Sequence, residues 1–374
     1  MRVGVCPVRG VRTGEALESV HAGRYTGPVK RAVKLVVSLL MTVVFSWWAF
    51  READWDSQVS SLKSANYLWV VPYFGILMLI HLARTLRWGC LLSGMERVPF
   101  RPLNEASGIG FMMLLVLPFR LGEFARPLLI AQRSSIRRSA AMTSVVLERI
   151  TDGMFVAVMM RVLLMFVSAD VPGLRYVKLG ANLMFAVFAG GLAFLLFALR
   201  HQDTAVRLVR VTVGRLVPAV ADKMADVVDS FVGAMRQLPD RRQMAGFFLY
   251  TLVYWGLNGA GMALLSRAFG ASMSLTLFQA YVLNCVLVVG VMVPAAPGMM
   301  GTFQAAMKVG LSLFLPASVV NGSGLAYANV LWLCQTVQQV GLGVLLMSAG
   351  HLSFRDLAGR LNKEQAATST LPSA

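Results

Sequence analysis

Charged side chains set in long apolar runs are the residues of this sequence best placed to do chemistry, because an ion at membrane depth is costly and by default marks a pathway, a partner or a site. Three groups qualify. The first is Leu117-Pro118-Phe119-Arg120-Leu121-Gly122-Glu123-Phe124-Ala125-Arg126. If the arm after the proline is helical, Arg120, Glu123 and Arg126 share a face, and two guanidiniums against one carboxylate leave a net positive site whose forked donors match a phosphate. The same trio also fits an ion-paired hairpin at a membrane interface, with its arginines snorkelling. The second group is Glu148-Arg149-Ile150-Thr151-Asp152, early in an otherwise apolar span. Glu148 and Asp152 share a helix face. With Arg149 they can balance the positive hairpin, orient its arginines or hold a transported proton; ion pairing is the cheapest role, since bare charges would need neutralising or hydrating. The third group is Pro294-Ala295-Ala296-Pro297-Gly298-Met299-Met300-Gly301-Thr302-Phe303-Gln304. Its prolines break an incoming helix, its glycines permit close backbone approach, and the helix after Gly301 would turn free N–H groups toward an anion, with Asn284, Thr302, Gln304 and Lys308 nearby. Taken alone, such a cluster marks only a turn.

The elements that must position these groups are membrane helices. Of 374 residues 57% are hydrophobic and 14% charged, with a mean hydropathy of +0.65, whereas a soluble domain carries about 25% charged residues. The net charge of +17 needs no nucleic acid partner, because Lys and Arg collect in the cytoplasmic loops of membrane proteins. Cys6, Cys90, Cys285 and Cys334 lie too far apart for a metal motif or a disulfide framework. Neither a metal nor another cofactor is expected.

A spanning helix takes about 20 apolar residues. Full spans are predicted at about 32–50, 66–86, 141–168, 179–199, 244–266 and 325–349, with two broken segments at about 106–118 and 275–293. Residues 1–29 read as a disordered basic cytosolic tail, 30–350 as the membrane domain and 351–374 as a second cytosolic tail. Arginines in the N-terminal tail, Arg84, Arg87, Arg97 and Arg101 after the second span, and Arg120, Arg126, Arg133, Arg137 and Arg138 after the first break all favour the inside. The first broken segment must then be a re-entrant hairpin returning to the cytoplasm. The second, leaving from the outside, must return there if the C-terminus is to end inside. Halves at about 66–168 and 244–349 thus form an inverted repeat, joined through an amphipathic helix at about 205–238, and interrupted segments at matching positions of such a repeat point to a substrate site near the midplane. The expected fold is all-α and polytopic: about six full transmembrane helices plus two re-entrant broken hairpins, with both termini cytoplasmic.

Taken in order, Leu117 to Arg126, Glu148 to Asp152 and Pro297 to Gly301 resemble the L-P-x-R-x-G-E-x-x-R, E-R-x-x-D and P-G-x-x-G elements of the flippase-like transmembrane domain of the lysylphosphatidylglycerol synthase superfamily. The similarity extends over roughly residues 30–350. It implies a substrate-binding set of Arg120, Glu123, Arg126, Glu148, Arg149, Asp152, Pro297, Gly298, Gly301, Thr302 and Gln304. Many relatives carry Glu where Gln304 stands, so a carboxylate role does not transfer there. In the bifunctional synthases an aminoacyl-transferase domain follows the membrane part. Here about 25 residues follow the last span, and the resemblance implies the translocating half alone.

The expected function is a transporter or flippase moving an anionic phospholipid or lipid-linked intermediate between the leaflets of a bacterial-type inner membrane, with proton coupling if Glu148 or Asp152 titrates near neutrality. No soluble catalytic triad, Walker loop or metal cluster is legible, so no catalytic residue is assigned. The alternative is a glycosyltransferase-like or other lipid-modifying enzyme acting on a polyprenyl-phosphate lipid. Some relatives are named dolichyl-phosphate glycosyltransferases, and Asp54-Trp55-Asp56 spells a D-x-D. That triplet sits in a short loop with no α/β domain to hold a nucleotide, and reads as solvated.

Overall fold

The computed structural model of the chain describes residues 39–117, 122–168, 173–216, 239–271, 273–292 and 297–350, together with positions 36 and 171. Both predicted tails, most of the amphipathic stretch beyond Leu216, and Pro118, Arg120 and Pro294 lie outside the described residues. What is described is helical, with no strand. In chain order the longer helices are α1 (Leu39–Phe50), α2 (Trp55–Ser64), α3 (Val70–Leu92), α4 (Phe100–Val116), α5 (Ala125–Arg133), α6 (Arg138–Leu164), α7 (Leu174–Arg200), α8 (Gln202–Leu216), α9 (Arg241–Ser266), α10 (Leu277–Val291), α11 (Thr302–Leu311) and α12 (Leu325–Ala349).

Among the described residues four helical stretches are long and apolar enough to cross a membrane: Tyr67–Leu92, Leu174–Arg200, Arg241–Phe269 and Ala317–Ala349. They account for four of the six expected spans. Of the other two, α6 has 27 residues but carries Glu148, Arg149, Asp152 and Arg161 within them. The described part of the first, α1, is a shorter apolar helix.

One part of the charge count is corrected. Arg84 and Arg87, taken above as loop charges, lie inside α3, which runs on to Leu92 instead of ending at 86. Arg87 is fully buried. The span continues past two arginines because acids on α6 and aromatic faces on neighbouring helices receive them, which a window of hydropathy cannot register.

Both broken segments fold back on themselves. In the first, a Cβ on Gly122 would run into the backbone of Met113 and Leu114, the stem of Arg126 lies over Gly110, and Arg133 pairs with Glu105. These three contacts step down α4 as they step up α5, so the two helices are antiparallel. In the second, Gly290 of α10 meets Ala306 of α11, and Gly310 meets Leu283. Small residues let each pair approach closely, as helices buried in lipid require. The turn between the second pair, Pro297–Met299, packs against α4.

The remaining packing is regular. Helices α3 and α9 lie side by side at the centre, antiparallel, with Gly261 against Tyr73 and Gly246 against Cys90. Helix α4 packs on α12 and α10 on α6, while α5 packs on α6 and α11 on α12. One apolar core joins α3, α9, α10, α11 and α12 around Tyr73, Met262 and Tyr327, and another joins α3, α4, α5 and α6 around Trp88 and Ile109.

Candidate functional site

The second charged group of the sequence sits where α3, α5 and α6 meet. Arg87 of α3 reaches Asp152 with both prongs of its fork (Nη1 to Oδ1 and, at 3.0 Å, Nη2 to Oδ2) and donates to Glu148 Oε1 at 2.7 Å. Arg126 of α5 donates to Glu148 Oε1 at 3.2 Å and brings Nη2 within 3.0 Å of Oε2. Arg149 adds a third guanidinium, 3.0 Å from Glu148 and 3.8 Å from Asp152. Trp255 of α9 donates to Asp152 Oδ1 at 3.3 Å. Three arginines thus enclose two acids, and the residues of α6 fall on one face because Glu148 and Asp152 are one helical turn apart. The Arg126 guanidinium also lies over the Trp88 and Phe111 rings, at 4.3 and 4.8 Å from their centroids.

Beside this network lies a cavity of about 490 Å³. Its walls come from α3, α4, α6, α7, α9, α10, α11 and α12 and from the turn at Gly298 and Met299. The charged groups on its lining are Arg84, Glu123, Arg149 and Asp152. Arg84 differs from the other arginines: its guanidinium stacks on Phe111 at 3.4 Å and on Tyr254 at 5.6 Å, and among the described residues it has no ion pair with a carboxylate. A guanidinium held by rings keeps its hydrogen-bonding edge for something else. His81, one turn away, places Nε2 2.8 Å from Asn104 Oδ1 and meets Phe111 edge-on.

The predicted residues divide accordingly. Glu148, Arg149, Asp152 and Arg126 meet in one cluster, Glu123 lines the adjoining cavity, and Arg120 is outside the described residues. Pro297 and Gly298 begin the turn whose Gly298 and Met299 line the cavity, with the Gly298 carbonyl accepting from Trp332 Nε1 at 2.7 Å. Gly298 and Gly301 take φ of 77° and 85°, a left-handed conformation that glycine supplies without steric cost. Gly301 also lies against Ser46 and Thr42 of α1, where a Cβ would clash.

Thr302 and Gln304 are differently engaged. The Thr302 hydroxyl donates to the Met299 carbonyl at 2.9 Å, while Gln304 Oε1 accepts from the Gly301 N–H at 2.8 Å and its Nε2 donates to Asn329. Gln304 therefore caps the helix end that the sequence suggested would face an anion, and neither side chain lines the cavity. Lys308 pairs with Glu52 at 3.1 Å and tethers α11 to the end of α1. Glu52 lies beyond the end of α1, and its hydrogen bond and charge pairing with Lys308 hold it below the usual carboxylate range. Asp54 of the D-x-D accepts from the Ser57 N–H at 3.0 Å and caps α2, which accounts for an acid there.

Sequence reasoning missed Arg84, Arg87, His81 and Trp255. A signal existed: Arg84 and Arg87 are three residues apart in a run that stays apolar to Leu92, so they share a helix face.

The helices and the buried ionic cluster define a multi-pass helical membrane protein with a charged internal cavity. Residues 32–343 match the lysylphosphatidylglycerol synthase transmembrane region, and the chain belongs to that family. No curated protein matches the chain.

Proposed function

We propose that this protein transports an anionic lipid, carrying its headgroup between leaflets through the cavity while the acyl chains stay in the bilayer. One observation carries the reading: the cavity is walled by both the α4 arm and the Pro297–Met299 turn, and Arg84 presents a guanidinium there with no carboxylate paired to it. A phosphate in hydrocarbon costs several kcal/mol or more, so the headgroup alone needs shelter. Glu148 and Asp152 set the resting charge. A proton taken by either acid would loosen Arg87, Arg126 or Arg149, which is the route by which a proton gradient would couple to transport.

In this reading the two helical pairs are re-entrant hairpins of an inverted repeat, entering from opposite faces of a bacterial-type cytoplasmic membrane with both termini inside. The packing supports it. Exchanging the halves maps α4 on α12 to α10 on α6, maps α5 on α6 to α11 on α12, and leaves the central pair of α3 and α9 in place. At about 1.5 Å per residue, α5 and α11, with nine and ten residues, fall well short of a hydrocarbon core. With Arg84 and Arg87 removed from the loop count, Arg97, Arg101, Arg133, Arg137 and Arg138 still argue for a cytoplasmic mouth of the first hairpin. The protein reconstituted in vesicles with acyl-labelled anionic lipid tests the proposal: exchange of the label between leaflets above the protein-free rate is expected, and exchange at that rate refutes it.

A further inference from the structure

The returning arm of the second hairpin, α11, is held from tip to base by one segment that belongs to neither half. At the tip, a Cβ on Gly301 would run into Ser46 and the Thr42 carbonyl of α1. Seven residues on, about 10 Å along the axis, Lys308 donates to Glu52 at 3.1 Å and reaches the Ala49 carbonyl at 3.5 Å. The two helices advance together, so α1 runs parallel to α11. Beyond α11 the chain passes through a turn of π-helix, Val320–Gly324, before α12 begins. Helix α2 packs on that turn. The Asp54 N–H and the buried Gln58 Nε2 both donate to the Asn321 carbonyl, at 3.2 and 3.3 Å, and Ser57 lies against Gly322. We infer that residues 39–64 are a strap and that the second hairpin is the moving gate of the cavity, swinging about the π-turn when the strap lets go; the inference deepens the transport reading and rests on it for what the gate admits.

The tip of this hairpin is strained, and it forms part of the cavity wall. Gly298, Met299 and Phe303 all line the cavity. Between the two left-handed glycines, Met299 takes φ of 56°, a conformation that a side chain disfavours. Such a conformation persists only where its surroundings fix it. Here Trp332 of α12 holds the Gly298 carbonyl, Thr302 holds the Met299 carbonyl, and α1 closes on Gly301. At the other end of the arm, a π-turn interrupts the regular bonding of a helix and is a place where the chain can bend. The strap touches both the strained tip and the bend.

The two hairpins are anchored unequally, and this decides which of them moves. Helix α5 packs on α4 and α6 of its own half, and Arg126 joins it to Glu148 with side chains 3% and 0% exposed. Breaking a pair so deeply buried leaves a bare charge and is strongly opposed. On α11 the ion pair to the strap has Glu52 53% exposed, and exposed pairs are weak because water replaces either partner. The bonds from Asp54 and Gln58 to Asn321 are long for hydrogen bonds. The second arm is therefore the one the fold releases at the smaller cost, and its release would take Gly298, Met299 and Phe303 out of the wall.

A cross-link tests the strap. A Cβ on Gly322 would lie 2.9 Å from Ser57 Cβ, within about 1 Å of the Cβ separation of a disulfide, so Ser57→Cys combined with Gly322→Cys can be closed with copper phenanthroline and reopened with dithiothreitol. Two readouts are taken on the full chain: backbone hydrogen exchange of residues 297–311 in detergent, and leaflet exchange of acyl-labelled anionic lipid in vesicles. Closing the disulfide is expected to slow both by at least about tenfold, with recovery on reduction and no effect of the oxidant on either single variant. Glu52→Gln combined with Gln58→Ala, which loosens the strap, should instead speed hydrogen exchange of residues 297–311 severalfold, and it serves alone if the cysteine pair does not fold. Leaflet exchange undiminished by the closed disulfide, or hydrogen exchange unmoved in the loosened variant, overturns the inference and leaves transport standing. The expected hydrogen-exchange changes in a protein whose parent moves no lipid would instead overturn the transport reading and leave the strap in place.

Discussion

Arg87 Nη2 lies 2.7 Å from Glu148 Oε1, with both side chains wholly buried and 61 residues apart in the chain. This contact ties α3 to α6, and through Arg126 it ties both to the first hairpin. Two charges removed from water stabilise a fold only while each keeps its partner; stripping one away leaves the other uncompensated, at about 3–5 kcal/mol. Arg87→Met is therefore expected to lower unfolding stability in detergent by roughly that amount. Thermal melting followed by intrinsic fluorescence reads it. A melting temperature equal to the parent's would mean that this pair does not hold the helices together.

Proton coupling is testable on the same cluster. With Glu148 and Asp152 as coupling groups, leaflet exchange in the parent should accelerate under a pH gradient, and Glu148→Gln or Asp152→Asn should abolish the acceleration. Both variants are to be checked for folding first, since each removes a partner of Arg87. Gradient-independent exchange in the parent would refute coupling, whereas still-coupled exchange in both variants would move it to another residue.

Much of this arrangement was legible in the sequence, and the reasons for the rest are physical. The ends of α4 at Val116 and α10 at Val291 and the charged run from Glu148 to Asp152 showed because Pro, Gly and charge interrupt apolar periodicity locally. Arg87 did not show as a core residue, because what keeps it in the core is an acid on another helix, and hydropathy counts each residue by itself. Gln304 had the right neighbourhood for an anion site; the bond that its side-chain oxygen accepts from the Gly301 N–H decides otherwise, and that is a rotamer choice. Arg84 depends on Phe111 and Tyr254, which come from α4 and α9.

Gly122 should tolerate no side chain. A Cβ there would run into the Leu114 nitrogen, a backbone atom that cannot swing aside. Gly122→Ala is expected to destabilise the first hairpin by about 1–3 kcal/mol and to depress transport. Gly75→Ala, with nothing within 4 Å of the added carbon, should melt at or above the parent's temperature. The two melting curves, measured side by side, check the packing of α4 against its returning arm; coincident curves would contradict it.

The tie between Glu52 and Lys308 makes a pH prediction outside the membrane core. A carboxylate held below its ordinary value, 4.5 for Glu, adds stability that is complete above that value and disappears as pH falls through the lowered one. Parent and Glu52→Gln should therefore differ in melting temperature near neutral pH and converge under acid conditions. Curves that stay parallel down to acid pH would show that the ion pair contributes nothing.

The most direct measurement is the initial rate of leaflet exchange of acyl-labelled anionic lipid in vesicles containing Arg84→Ala beside the parent. Arg84 is braced by rings and has no ion pair among the described residues, so its loss should spare folding. Removing a charge-assisted hydrogen bond to phosphate costs on the order of 1.5–3 kcal/mol, or about ten- to a hundredfold in affinity. The expected result is exchange reduced by at least about tenfold at low lipid occupancy, an unchanged melting temperature, and partial recovery in Arg84→Lys, which keeps the charge but not the planar fork. Exchange by Arg84→Ala at the parent's rate, or by the parent at the protein-free rate, would contradict the account.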